Sequence, residues 1–143
     1  MNLLVDIVCE MQDEWIAISI EDLEVAELCF KGRKFLHCAY MCQQSVEKSL
    51  KALIAANDEV PLPIHNLPEL ATMTNVWDNL NAEQKFFLRA LTTYAIEARY
   101  PERKRKLFQK CTKDEAEKLF VNAKEMVKWL KICIVEKLPR EKK

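Results

Sequence analysis

Two turns of one stretch gather side chains that could do chemistry. Within Cys42–Ala56, which reads C-Q-Q-S-V-E-K-S-L-K-A-L-I-A-A, lie Gln44, Glu47, Lys48 and Lys51. At helical spacing these four share one side, with Arg33, His37 and Tyr40 continuing it upstream. Val46, Ser49, Leu50 and Leu53, preceded by Phe35, Cys38, Ala39 and Cys42, form the other side. Two ammonium groups on one helical face can converge on a phosphate, while an amide such as Gln44 reads a polar base or ribose edge. The plainer reading of the same residues is a solvated face, on which a Glu47–Lys51 pair adds about 0.2–0.5 kcal/mol to the helix. Arg33 and His37, one turn apart, could pair an anion clamp with an acid–base group, although the same spacing arises readily on any polar face.

Further along stand His65, Tyr94, Arg99 and Tyr100. His65 follows Pro-Leu-Pro-Ile at the start of a predicted helix, where it either points into a groove beside the central helix or anchors the loop. Arg99 offers a guanidinium to phosphate, or to a neighbouring carboxylate such as Glu97 or Glu102. Tyr100 offers a ring on which any base can stack, and Tyr94 is a site residue or a core aromatic. The run Arg103–Lys106 and the tail Arg140–Lys143 are basic and could meet RNA phosphates, with Tyr100 and Phe108 as the only flanking aromatics. The six cysteines contain no Cys-x-x-Cys pair, and Cys38 and Cys42 share a core face without a histidine or carboxylate to complete a zinc set. No metal site and no cofactor is expected, and the thiols read as small apolar residues in a reducing, cytoplasmic setting.

The elements that must position these groups are helices. One glycine, Gly32, in 143 residues leaves too few turn residues for a sheet protein. The apolar start, Leu3–Val8, contains Asp6 and is too short and too acidic for a signal peptide or a membrane span. It reads as an extension or a short helix over residues 1–12. With 22 basic and 22 acidic side chains the formal charge is zero, so any nucleic-acid contact must come from a local patch. Helix 1 is expected from an Asp13 N-cap to Lys31, closed by Gly32; helix 2 runs from about Arg33 to Ala56. A short helix follows within His65–Val76, with Pro68 in its first turn. Asn81-Ala-Glu-Gln84 reads as a capping box for a helix that continues to about Arg99 and is stopped by Pro101. Arg103–Lys106 then reads as a basic loop, and a second capping box, Thr112–Glu115, opens the last helix, to about Leu138. The result is an all-α, antiparallel up-and-down bundle of four to five helices over residues 13–138, with a basic tail at 139–143. Met126, Trp129 and Cys133 widen the apolar side of the last helix beyond what one neighbour covers, which suggests a dimer.

Several pieces, in order, resemble the HEPN domain (higher eukaryotes and prokaryotes nucleotide-binding). They are Asp22-Leu23 with Ala26, the run Gln44-Ser-Val-Glu47-Lys48-Ser-Leu-Lys51-Ala52-Leu53, His65-Asn66-Leu67, Tyr94 with Arg99-Tyr100-Pro101, and the closing helix through Ala123 and Trp129-Leu130. The resemblance implies a helical bundle, commonly a homodimer. It also implies one of two roles: a metal-independent ribonuclease, often a toxin of a toxin–antitoxin pair, or a non-catalytic nucleotide-binding or accessory module beside a minimal nucleotidyltransferase. The ribonuclease members carry an arginine followed, after four to six residues, by a histidine. Here no histidine follows Arg99, and Arg33 and His37 have three residues between them. The expected role is therefore the non-catalytic module, with Gln44, Glu47, Lys48, Lys51, His65, Tyr94, Arg99 and Tyr100 as candidate nucleotide contacts. The alternatives are a ribonuclease with a displaced Arg99/His65 pair and a protein-interaction module without a small ligand.

Overall fold

The arrangement follows from a helix with almost no free side. In the computed structural model, which describes the backbone of residues 3–137 and the side chains of residues 11–136, α2 (Phe35–Ala56) is buried nearly throughout. Only His37 and Tyr40 are exposed along it. It packs against α1 (Leu3–Lys31), α3 (Leu67–Met73), α4 (Ala82–Ile96) and α6 (Lys113–Lys137), and touches the short α5 (Pro101–Lys110). The described residues thus form an all-α, antiparallel bundle, with 3₁₀ turns at Trp77–Asn79 and Glu97–Arg99.

Small residues let neighbours close on α2 from several sides. Cys38, Ala39, Cys42, Ala52, Ala55 and Ala56 are all buried there, alongside Val46, Leu50, Leu53 and Ile54. Against α1 the contact is a polar clasp: the Ser19 hydroxyl donates to the Ser45 carbonyl and the Ser45 hydroxyl to the Ser19 carbonyl, each at 2.7 Å. Ser49 meets Ser19 as well. A hydroxyl satisfied in this way is tolerated in a dry seam that an unpaired one would destabilise. From the other side Leu119, Ala123, Val127, Leu130 and Ile134 of α6 complete the core, joined by Leu88, Leu91 and Tyr94 of α4.

The Asn81–Gln84 capping box is present with both reciprocal bonds, at 2.8 and 2.9 Å. At the last helix the Thr112 hydroxyl accepts from the Glu115 amide at 3.3 Å. Three expectations need correction. Helix 1 does not begin at Asp13 but runs unbroken from Leu3, because nothing in the sequence before Asp13 breaks a helix; Asp13 is an exposed interior residue. The α1–α2 turn is closed not by a left-handed Gly32 but by Arg33, at φ 60°, with the Lys34 amide donating to the Cys29 carbonyl at 2.8 Å. Residues 103–106 are not a loop: Pro101 ends one helix and, needing no amide partner, starts the next, so the basic run lies on α5. The basic tail at 139–143 lies outside the described residues.

Candidate ligand-binding sites

The polar side of α2 divides into two places with different chemistry. The first centres on Glu47, whose side chain has no solvent exposure. Oε1 accepts from Gln43 Nε2 at 3.2 Å and lies 3.0 Å from His65 Nδ1; Oε2 accepts from Lys48 Nζ at 3.1 Å and Lys51 Nζ at 3.2 Å. Burial alone would raise the pKa of this carboxyl. The Lys48 charge, with hydrogen bonds from Lys48, Gln43 and His65, outweighs burial and holds it below the ordinary value. An ionised carboxylate only accepts, so the His65 ring carries its proton on Nδ1.

Neighbouring elements lock this cluster. Gln43 also donates to the His65 carbonyl at 3.1 Å, tying the chain before α3 onto α2. Gln44 donates to Gln43 Oε1 at 2.7 Å and accepts from Lys48. From α1, the Trp15 ring lies 5.9 Å from Lys48 Nζ and 5.5 Å from Lys51 Nζ, a placement that favours cations over the ring face. Asp22 stands at the edge, its pKa raised by burial and by Glu21 and Glu47 against the pull of Lys48. The alternative of a solvated face for Glu47 and Lys51 is not what the structure holds, since Lys51 is 4 % exposed. The reason is that α2 has neighbours on this side too. Both ammonium groups are already neutralised, so an incoming phosphate would compete with Glu47 for them. His65 takes the anchoring role, and Asn66, not His65, caps α3 by accepting from the Glu69 amide.

The second place is a groove of about 280 Å³ between the start of α2 and the α4–α5 corner, lined by Leu36, His37, Tyr40, Ala98 and Lys104. Arg99 and Tyr100 follow directly on Ala98 and are exposed, and the Arg103 guanidinium stacks 4.9 Å from the centre of the Tyr100 ring. Arg103–Lys106, all exposed, place four positive charges on about one turn of α5. Pro101 fixes where this helix starts and hence where Lys104 points one turn later. An imidazole, a phenol and an ammonium at the wall of a part-apolar groove can stack a ring and pair with an anion.

Of the residues singled out in the sequence, the structure brings Gln44, Glu47, Lys48, Lys51 and His65 into the first cluster. Arg99 and Tyr100 adjoin the groove. Tyr94 belongs to neither: it is 2 % exposed in the core, and its hydroxyl has no well-formed hydrogen bond among the described residues. The Cys111 thiol beside it donates instead to the Phe35 carbonyl at 3.4 Å. Burial raises the Tyr94 pKa, with Cys111 and Glu115 adding to it. Gln43, Trp15 and Lys104 were not anticipated as parts of either place. Gln43 and Glu47 are four apart on one helical side, a signal open to detection; Lys104 was hidden by the reading of its segment as a loop. No group of metal-ligating side chains is found among the described residues.

Comparison with known proteins assigns the class of this bundle. The HEPN domain family matches residues 12–133, and the chain belongs to that family. Two solved structures share the fold. One is the crystal structure of ST0689, an archaeal HEPN homologue: 22 % identical, covering 86 % of this chain and 97 % of the other, with a TM-score of 0.70. The other is TT1696 from Thermus thermophilus: 20 % identical, covering 89 % and 98 %, with a TM-score of 0.74. Identities this low speak for the fold alone. No curated protein matches the chain. Among the described residues no helix is long and apolar enough to cross a membrane.

Proposed function

We propose that this chain is a non-catalytic HEPN module that binds a phosphate-bearing nucleotide in the groove between α2 and α5, and acts beside a nucleotidyltransferase partner. The observation that carries the ligand half of the reading is the convergence of His37, Tyr40 and Lys104 on one groove, beside exposed Arg99 and Tyr100. The partner half rests on the family resemblance. In this reading Lys104 and Arg99 meet the phosphates, Tyr40 or Tyr100 stacks on the base, and the Glu47 cluster holds α1, α2 and the approach to α3 together. The displaced ribonuclease pair is less well supported, since His65 Nδ1 is engaged by Glu47 and no histidine follows Arg99 at the family spacing.

The test is thermal unfolding against ATP, GTP, NAD and a short RNA. A ligand at 100 times its Kd adds about 2.7 kcal/mol, which raises the midpoint of a domain this size by roughly 5–10 °C. The reading expects one nucleotide to give such a shift, and Lys104→Ala and Arg99→Ala to abolish it. No shift with any of the four would overturn it.

A further inference from the structure

Little of α5 is used to hold it to the rest of the molecule. Of its ten residues only Leu107 is buried, and the other nine are exposed. Five of the ten are basic and one, Glu102, is acidic, within a chain of zero formal charge. The α1–α2 turn adds to the same end of the bundle, with Lys31, Arg33 and Lys34 exposed. The two segments are joined there: the Cys111 thiol, directly after α5, donates to the carbonyl of Phe35, directly after Lys34, at 3.4 Å. The nucleotide groove takes only Lys104 from α5, so most of this charge has no part in it.

Helical spacing sorts the exposed groups around α5. Arg105 and Gln109, four apart, stand opposite Leu107, on the side turned away from the bundle. Arg103, Lys106 and Lys110 run down one flank, and Lys104 stands on the other. Positive charge therefore faces outward and to both sides. That distribution suits a ligand with anionic walls on either side of the helix and hydrogen-bonding groups ahead of it. The major groove of B-DNA, about 12 Å wide, admits an α-helix between two phosphate backbones and presents base edges at its floor. We propose that α5 enters the major groove of duplex DNA. The flanking lysines and the α1–α2 turn meet the phosphates, while Arg105 and Gln109 meet the base edges. An arginine pairs with guanine O6 and N7, and a glutamine with adenine N6 and N7.

The dimensions agree. Ten residues make about 15 Å of helix, with a diameter of about 10–12 Å including side chains. At about 3.4 Å per base pair that length spans roughly four pairs. RNA suits the helix less well. The major groove of an A-form duplex is too deep and narrow for side chains to read. Proteins that hold single strands stack the bases on aromatic faces, and α5 bears one aromatic, Phe108, among its five basic groups. An acidic protein surface would face one side of α5 and leave the charges on the opposite flank unanswered.

The experiment is fluorescence anisotropy of a labelled DNA duplex with the full chain, between about 50 and 200 mM salt. The RNA duplex and the single strands of the same sequence serve as comparisons. Duplex DNA should bind at least about tenfold more tightly than any of these. With about five phosphates engaged, log Kd should rise against log salt with a slope of about 4–5. Lys106→Glu/Lys110→Glu should weaken binding more than about tenfold and lower that slope by about two, with unchanged circular dichroism because both residues are exposed. Duplexes selected from a random pool should show a base preference, and Arg105→Ala or Gln109→Ala should each flatten it at one position by roughly 5- to 150-fold. Four results would each overturn the proposal: no binding to duplex DNA at the lowest salt; binding to RNA or to single strands that is equal or tighter; binding indifferent to Lys106→Glu/Lys110→Glu; or no base preference that either alanine variant removes. None of the substituted residues lines the nucleotide groove, so a mononucleotide thermal shift without DNA binding sinks this proposal alone.

Discussion

Removing the charge from Glu47 while keeping its shape, as Glu47→Gln, should be among the most damaging single changes in the protein. The side chain is fully enclosed, and the Lys51 side chain beside it is only 6 % exposed. The variant leaves that ammonium, and the 18 % exposed Lys48, without the carboxylate that compensates their desolvation. Breaking a buried ion pair from one side costs about 3–5 kcal/mol, mostly for the charge left behind. For a domain of this size that corresponds to a fall in Tm of roughly 10–20 °C. Urea denaturation followed by circular dichroism at neutral pH measures it, and Glu47→Gln/Lys51→Met should recover part of the loss by removing the stranded charge. The pH dependence carries a second signature. The folded-state pKa of Glu47 lies below its ordinary value of 4.5, so its contribution is fully present above about that value and is lost as pH falls through the lowered folded pKa. Wild type should therefore lose stability on acidification more steeply than Glu47→Gln. A loss under about 1 kcal/mol, in the range of surface pairs, together with parallel acid limbs, would refute the claim that this network is a dry structural core.

Three further outcomes follow from the same geometry. Asp22→Asn should raise stability at neutral pH: burial lifts the Asp22 pKa, so its contribution is present below the unfolded pKa and lost as pH rises through the folded one, and a midpoint lower than wild type at pH 7 would contradict this. Tyr94→Phe should leave stability within about 1 kcal/mol, because the hydroxyl removed has no well-formed partner; a loss above about 2 kcal/mol in chemical denaturation would mean that it has one. Asn81→Ala should cost about 0.5–2 kcal/mol by removing the α4 cap, read as a lowered urea midpoint at unchanged slope.

Local chemistry made much of the fold legible. Asn81 with Gln84 marks a helix start wherever it occurs before an apolar stripe, and Pro101 cannot sit within a helix whose preceding turn needs its amide. The Val46, Leu50 and Leu53 stripe identified the buried side of α2. Its second buried side was illegible, because periodicity reports polarity and not how many neighbours a helix has. Glu47 and Lys51 read either as ligand contacts or as a surface pair, and only the approach of Trp15 from α1 and His65 from the chain before α3 makes them a buried cluster. For the same reason Lys104 could not be brought to His37: their meeting depends on where Pro101 restarts the chain, a matter of tertiary packing. Tyr94 shows the reverse limit, since an aromatic with a polar tip has the same sequence signature in a core as in a site.

In the proposed function the nucleotide sits between α2 and α5, and the Glu47 cluster serves only to hold the fold. The chain offers two reporters, because it has only two histidines, and they lie one at each place: His37 lines the groove and His65 is bound to Glu47. Titrating the nucleotide that gives the greatest thermal shift, while following the two imidazole signals by proton–carbon NMR, tests the claim directly. Saturable movement of the His37 signal with His65 unmoved is the predicted result. Movement of His65 with His37 unmoved would place the ligand on the helix 2 lysines and contradict it.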